Sequence, residues 1–503
     1  MTDVQAKWAT NERKEHTEMG YHQRKAIVRK PFRTVALAAA WMVTTAGGAS
    51  SVGATAQALP AHPAATRKPC AAVAAADRAA ADVPQPTLPA YHKEVTIQWW
   101  TRTANPQGAV AEFNCVYPNI HVQVLDTGGN SATIAKVISS EKADSGIPDL
   151  VLMPYHYFGQ MKAIGAAMNV AKYAARYEKY FSKWYWQQAS GPGGGVYALP
   201  EDAQPEVLFY RKDLFEKAGL PYIPPTTWGQ YYTDAVDFHK KYPGVYFSAF
   251  PTSTAAATMA TGLFQQAGAE WSGNVGGKKW TLSYTSAKVL SVVNYWQKLV
   301  KMGAVVAEPV LTTEFAHQLA TNQFAAMIWG TWFNPIMTAS GVPLRDHWTM
   351  AKIPQWDSSG PFVTGEMGGS VNFVPARAPH PQAAVIFDAW LETSRAGLND
   401  AAASAASGGR GMFPADIYSG RLPAFEAPQP QLHGQVIGKL YTFSVEHINF
   451  NWTWNPWEEF VVDKYSELAT QATRGAMTWK QALQSLESQV AAYAASEGYT
   501  IVK

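Results

Sequence analysis

Val95-Thr96-Ile97-Gln98-Trp99-Trp100 opens the part of this chain that reads as folded. Its polar and apolar side chains alternate, and β-branched and aromatic types dominate, which is the pattern of a strand. A second strand reads at His121-Val122-Gln123-Val124-Leu125 and a third at Asp149-Leu150-Val151-Leu152-Met153, with Ile134, Val137 and Ile138 at helical spacing between them. Strands that alternate with helices predict an α/β fold with a largely parallel sheet. Helix punctuation continues downstream. Thr227-Trp228-Gly229-Gln230 and Thr478-Trp479-Lys480-Gln481 fit the capping box, in which Thr and Gln satisfy free N–H groups of the first turn. Val289, Leu290, Val293, Trp296, Leu299 and Val300 form an apolar stripe ended by Gly303. His380-Pro381 opens another helix, with Ala384, Phe387, Trp390 and Leu391 on its apolar face.

Upstream of Val95 the composition changes. Residues 57–91 are mostly Ala and Pro with few large apolar side chains, too little burial to offset ordering entropy, and predict a disordered tether. Residues 1–56 read as an export signal region. Eight Lys/Arg within residues 1–33 precede the short apolar run Thr34–Val43, and an Ala-x-Ala site follows at Ala54-Thr55-Ala56 or Ala56-Gln57-Ala58. The run is too short to span a bilayer comfortably, and the competing readings are a weak membrane anchor or a mistaken start codon upstream. Arg29-Lys30-Pro31-Phe32 only loosely echoes a twin-arginine motif.

The 503 residues allow two or three domains, and 47% apolar content allows large cores. The formal net charge of +3 comes from the leader; the rest is close to neutral and has no Lys/Arg run, so a nucleic-acid partner is not expected. Two cysteines, Cys70 and Cys115, exclude a disulfide scaffold and a Cys-based zinc cluster; they form one bridge or remain two thiols. Arg67-Lys68-Pro69 before Cys70 does not suit a lipid anchor. The chain has no Gly-x-Ser-x-Gly elbow, His-Glu-x-x-His or P-loop. A glycoside hydrolase needs two carboxyl groups flanking the bond, for which Glu201/Asp202 and Glu458/Glu459 are the candidates. Neither pair stands in a hydrolytic motif, so no catalytic residue, metal or cofactor is expected.

Several segments, in order, carry a resemblance. Ile147-Pro148-Asp149-Leu150-Val151 is followed by Tyr197-Ala198-Leu199-Pro200, then by Leu208-Phe209-Tyr210-Arg211-Lys212-Asp213-Leu214-Phe215-Glu216-Lys217-Ala218-Gly219-Leu220 and Pro224-Pro225-Thr226-Thr227-Trp228. Phe324-Ala325-Ala326-Met327-Ile328-Trp329-Gly330-Thr331-Trp332, Gly368-Gly369-Ser370 and Pro381-Gln382-Ala383-Ala384 come later. Together they resemble the family 1 extracellular solute-binding proteins, the maltose-binding-like subunits of carbohydrate ABC importers. The family usually has Asn where Arg211 stands. The resemblance implies a two-lobed periplasmic-binding-protein-like fold of type II, with a ligand cleft between lobes joined by hinge crossings. One lobe would take residues 92–205 and 370–413, the other 206–369 and 414–503. It further implies an exported receptor, working as a monomer, that closes on a sugar or oligosaccharide and delivers it to membrane permease subunits. A peptide, polyamine or phosphate-ester cargo on the same fold is the alternative.

The aromatic content, 13%, favours a weakly charged sugar, whose apolar ring face stacks on indoles while amides and charged groups meet the hydroxyl rim. Candidate contacts lie at strand ends, where open α/β sheets bind ligands. Trp100 is favoured over Trp99 as the cleft-facing member of its pair, and Arg102 follows in a polar loop. Tyr155, His156 and Tyr157 follow the third strand. The resemblance places a rim contact at Gln204, the stacking aromatic at Trp332 and another near Trp452 and Trp454. Glu366 and Gly368 belong to a second-lobe loop where glycine lets backbone approach the ligand, and Arg410 could make a bidentate contact or lie on the surface.

Overall fold

The computed structural model describes residues 70–71, 84–339, 347–404 and 407–502. The expected export signal, and most of the expected tether, lie outside the described residues. The main elements of the first pass are β1 (Val95–Trp100), α1 (Pro106–Phe113), β2 (Ile120–Leu125), α2 (Asn130–Ala143), β3 (Leu150–Pro154), α3 (Tyr155–Ala163), α4 (Lys183–Ala189) and β4 (Ala198–Pro200). The chain then crosses to β5 (Glu206–Arg211), α5 (Trp228–Lys241), β6 (Ser248–Pro251), α6 (Thr254–Gln266), α7 (Ala287–Met302), β7 (Val305–Glu308), β8 (Ala326–Gly330) and β9 (Trp348–Lys352). It returns through β10 (Ser370–Phe373) and α8 (Pro381–Thr393), and later forms α9 (Glu458–Thr473) and α10 (Trp479–Ser496).

Two separate sheets define two lobes. The first runs β2-β1-β3-β10-β4. Its β1, β2 and β3 are parallel as expected, while β10 is antiparallel to both β3 and β4. The second runs β8-β5-β9 with both neighbours antiparallel to β5, beside the parallel pair β6 and β7. Local signals set the helix starts. Thr227 Oγ1 accepts from Gln230 N–H at 3.1 Å, and Thr478 Oγ1 from Gln481 N–H at 3.2 Å, each in a complete capping box worth about 1 kcal/mol. Ser286 caps α7, and Gly303, with φ 82°, ends it.

Three segments run side by side between the lobes. Ala203 N–H donates to Phe413 O at 2.8 Å, Ala415 N–H to Glu201 O at 3.1 Å, Met367 N–H to Gln204 O at 3.0 Å, and Glu206 N–H to Gly365 O at 2.9 Å. Gly365 is needed there, because a Cβ would stand 1.9 Å from Gly262 O of α6.

Two expectations are corrected here. Trp100 does not face a cleft: both tryptophans of β1 are buried, Trp100 to 2% exposure. The sheet is covered on both faces, so strand alternation sends Trp99 toward Phe387 of α8, at 5.2 Å between rings, and Trp100 under the Lys136 ammonium of α2, at 4.6 Å. Residues 84–91 are not a free tether either. Leu88 and Tyr91 pack against the core, Tyr117 Oη–H donates to Pro89 O at 2.8 Å, and Arg395 N–H to Gln85 Oε1 at 3.0 Å. Cys70 and Cys115 form a disulfide, which ties the upstream segment to the end of α1.

Candidate functional site

Because α3 starts immediately after β3, Tyr155, His156 and Tyr157 stand at the carboxyl end of a first-lobe strand. Helix α3 lies against α9 and the segment before it, which belong to the second lobe. A Cβ on Gly159 would meet Asn455 O and Trp454 O at 3.3 Å and Trp454 Cβ at 3.4 Å, so glycine sets how closely the two lobes approach. Beside this contact is a cavity of about 120 Å³. Tyr155, Gly159, Lys162, Gln187 and Gln188 line it from the first lobe, and Trp452, Thr453 and Trp454 from the second. Ligand pockets are usually roughly 300–1,000 Å³. A solute of disaccharide size does not fit the cavity in this arrangement.

Trp452 and Trp454 sit in an irregular stretch that ends where Trp457 packs against Trp280 and Tyr499. Their rings meet edge to face at 5.6 Å, and Trp454 continues to His156, 5.8 Å away, which in turn contacts Tyr157 at 4.0 Å. An aromatic ladder thus crosses from one lobe to the other. Burial, with Arg102 adding, lowers the His156 pKa to about 3, so its imidazole is neutral. Burial, then Glu459, Asp463 and Glu458 of α9, raises that of the Tyr157 hydroxyl. Arg102 lies in the field of Glu201 and Asp202, which opposes the lowering of its pKa by burial. Lys162 Nζ donates to Gln188 O at 2.8 Å and Ser190 O at 3.1 Å, at the end of α4; burial alone lowers its pKa to about 8.

Four other candidates gather at the crossings, away from the cavity lining. Gln204 bridges the lobes through its amide: Nε2–H donates to Asp202 Oδ2 and Thr331 Oγ1–H donates to Oε1, both at 2.6 Å. Glu366 is fully buried; Tyr185 Oη–H donates to its Oε2, and Gln204 N–H to Oε1 at 3.2 Å. Burial pushes the Glu366 pKa well above the carboxylate range. Half-buried Trp332 donates its indole N–H to Met367 O at 2.6 Å and meets Trp329 edge to face at 5.5 Å. Gly368, with φ 117°, leaves room for that indole, since a Cβ would stand 3.2 Å from Trp332 Nε1. Its freedom serves protein packing.

Arg410 is corrected outright. Its side chain is inaccessible, with Nε–H on Asp400 at 3.1 Å, Nη1–H on Glu392 at 2.9 Å and Glu201 at 3.4 Å, and Nη2–H on the Leu391 and Gly397 carbonyls at 3.2 Å. These partners use its donors and leave none for a solute. The same cluster occupies Glu201, while Glu458 accepts from Asn455 Nδ2–H. Neither carboxylate pair is set on the two sides of one cavity. Among the described residues no group of His, Cys, Asp and Glu is arranged to hold a metal.

Of the expected residues, Tyr155, Trp452 and Trp454 line the cavity, His156 and Tyr157 adjoin it through the aromatic ladder, and Arg102 acts electrostatically on both. Sequence reasoning missed Gly159, Lys162, Gln187, Gln188 and Thr453. The position of Thr453 between two selected tryptophans was a usable signal; the others are ordinary residues of helical faces.

Comparison with known proteins fits this architecture. Residues 99–397, more than half of the chain, match the family model of the bacterial extracellular solute-binding protein. The galacto-N-biose/lacto-N-biose I-binding protein of an ABC transporter from Bifidobacterium longum, solved with lacto-N-biose, superposes with a TM-score of 0.71 at 22% identity, covering 82% of this chain and 100% of that one. The sugar-binding protein MalE from Xanthomonas citri gives 0.66 at 18% identity, covering 80% and 98%. At these identities the likeness is one of fold. A curated relative, the sn-glycerol-3-phosphate-binding periplasmic protein UgpB of Agrobacterium fabrum, is 27% identical over 127 residues, which is 25% of this chain and about a quarter (24%) of that protein's length. With a cavity lined from both lobes and a family match over more than half of its length, the chain belongs to the bacterial extracellular solute-binding proteins.

Proposed function

We propose that this protein captures a sugar or oligosaccharide outside the cytoplasm by hinge closure of its lobes and delivers it, as a monomer, to the permease subunits of an ABC importer. The observation that carries this reading is the cavity shared by the lobes, with tryptophans on one wall and two glutamines, a tyrosine and a lysine on the other. Indole faces suit the C–H face of a pyranose, and amides suit its hydroxyl rim. The structural relatives named above are ABC-transporter and sugar-binding proteins, which supports the same cargo class. The crossings at residues 201–206, 364–370 and 413–415 are the proposed hinge, and bending there would part the cavity walls. The proposed lobes are residues 92–205 with 370–413, and 206–369 with 414–503.

Thermal-shift screening against mono- and oligosaccharides tests this. A ligand at 100 times its Kd stabilises by about 2.7 kcal/mol. A saccharide that raises Tm for the wild type and not for Trp454→Ala supports the reading. Stabilisation by peptides with none by any saccharide overturns it.

A further inference from the structure

The two walls of the cavity are joined through the crossings by side chains that do not line it. Tyr185 is fully buried on α4, just before Gln187 and Gln188 of the first-lobe wall. Its hydroxyl donates to Glu366 Oε2 on the 364–370 crossing and accepts from Gln204 N–H at 3.0 Å. Glu366 N–H in turn donates to Gln265 Oε1 of α6 at 2.8 Å. Gln265 clasps the segment that leads to the tryptophans: its Nε2–H donates to Asn449 O at 2.6 Å, and Asn449 Nδ2–H donates back to Gln265 O at 2.9 Å. Thr364, on the same crossing, pairs with that segment too, giving its N–H to His447 O at 2.9 Å and accepting from Asn449 N–H at 3.0 Å. Tyr155, which does line the cavity, supports the first-lobe end: its ring stands 5.4 Å from that of Tyr185, and its N–H donates to Gly369 O at 3.2 Å.

We propose that Tyr185, Glu366 and Gln265 are positioning residues, a buried relay across the hinge that fixes how the glutamine wall and the tryptophan wall face each other over the solute. The inference rests on the saccharide reading above and adds what holds the two walls in register. Tyr185 and Glu366 are at 0% exposure and Gln265 at 1%. A bond of this relay that is broken by bending at the crossing therefore leaves a buried donor or acceptor unmatched. The hinge angle that satisfies all three residues is the preferred one, and cutting the relay at either end lets the walls drift apart in orientation. The solute is then released faster, while its association changes little, as is usual among variants of one binding surface.

The test uses the full chain and the saccharide that gives the largest thermal shift. Kd is measured by calorimetry, and association and release rates by stopped-flow tryptophan fluorescence, for wild type, Tyr185→Phe, Gln265→Met and the double variant. Tyr295→Phe is the control, because it also removes a tyrosine hydroxyl bond, to Trp228 O at 2.8 Å, but within the second lobe and away from the crossings. Each single relay variant is expected to raise Kd about fivefold or more, mostly through faster release. The double variant should bind within about twofold of the weaker-binding single, since both substitutions cut one relay, and Tyr295→Phe should keep the wild-type Kd. The Tm of every variant is measured and binding is read well below it, so that lost fold is not counted as lost affinity; where one relay variant does not fold, the other decides. An unchanged Kd in a folded relay variant, a loss carried by slower association alone, losses that multiply in the double variant, or an equal loss in Tyr295→Phe overturns the inference and leaves the saccharide reading standing. Failure of every saccharide to bind the wild type overturns both.

Discussion

Replacing Gly159 by Leu separates closure of the lobes from the stability of either one. A Cβ at this position is already 3.3 Å from two carbonyl oxygens of the opposite lobe. The branched remainder of leucine has no room in the shut arrangement. Overpacking of this kind costs about 1–3 kcal/mol. In the open arrangement the side chain faces solvent, and leucine is the better helix former by up to about 1 kcal/mol. The penalty therefore falls on the shut state alone, and if the solute is held only when the lobes shut it appears as a loss of affinity of roughly 5- to 150-fold. The assay pairs Kd, by calorimetry with the saccharide giving the largest thermal shift, with Tm in its absence. Weaker binding with an unchanged or higher ligand-free Tm is expected. A Kd within twofold of wild type, or a fall in ligand-free Tm large enough to account for lost binding, would show that Gly159 does not set the approach of the lobes.

Arg410→Met leaves Glu201, Glu392 and Asp400 without their shared partner in a buried site, and a loss of about 3–5 kcal/mol is expected in denaturant unfolding; a change under 1 kcal/mol contradicts the assigned role. Glu206, on the crossing into β5, is fully buried with neither carboxylate oxygen partnered, and burial raises its pKa well above the usual range. Glu206→Met should stabilise by roughly 1–3 kcal/mol, and a lower Tm would count against this picture. Burial raises the Asp234 and Asp416 carboxyls to about 7 and Glu458 to about 8. The folded protein keeps these protons after the unfolded chain has released them, so the stability they contribute is complete below the ordinary carboxylate range and is lost as pH rises through 7 to 8. Tm should fall between pH 5 and pH 8, less steeply in Glu458→Gln; a flat or rising profile contradicts the assignment.

What was legible in the sequence was local or carried by ordered motifs. The capping boxes at Thr227 and Thr478 were readable because all their partners lie within one turn. Ser286 and Gly303 bounded their helix for the same reason. The order of the Tyr197, Leu208, Phe324 and Gly368 blocks carried the fold. Non-local choices were not readable. Alternation showed that Trp99 and Trp100 point to opposite faces, but not that helices cover both. Arg410 looked free because Glu201 and Glu392 are brought to it only by folding, from 209 and 18 positions away. Lys162 and Gly159 resemble ordinary helix residues until α3 is set against Trp454. The Cys70–Cys115 pairing and the seating of Leu88 and Tyr91 likewise depend on where α1 ends in space.

In the proposed mode of capture one solute molecule is held by both lobes at once. A crystal structure of the protein with the saccharide that stabilises it most tests this directly. A sugar ring touching Tyr155 or Lys162 on one side and Trp452 or Trp454 on the other is the expected result. A saccharide bound to one lobe alone, or on the outer surface with the cavity unfilled, would contradict it.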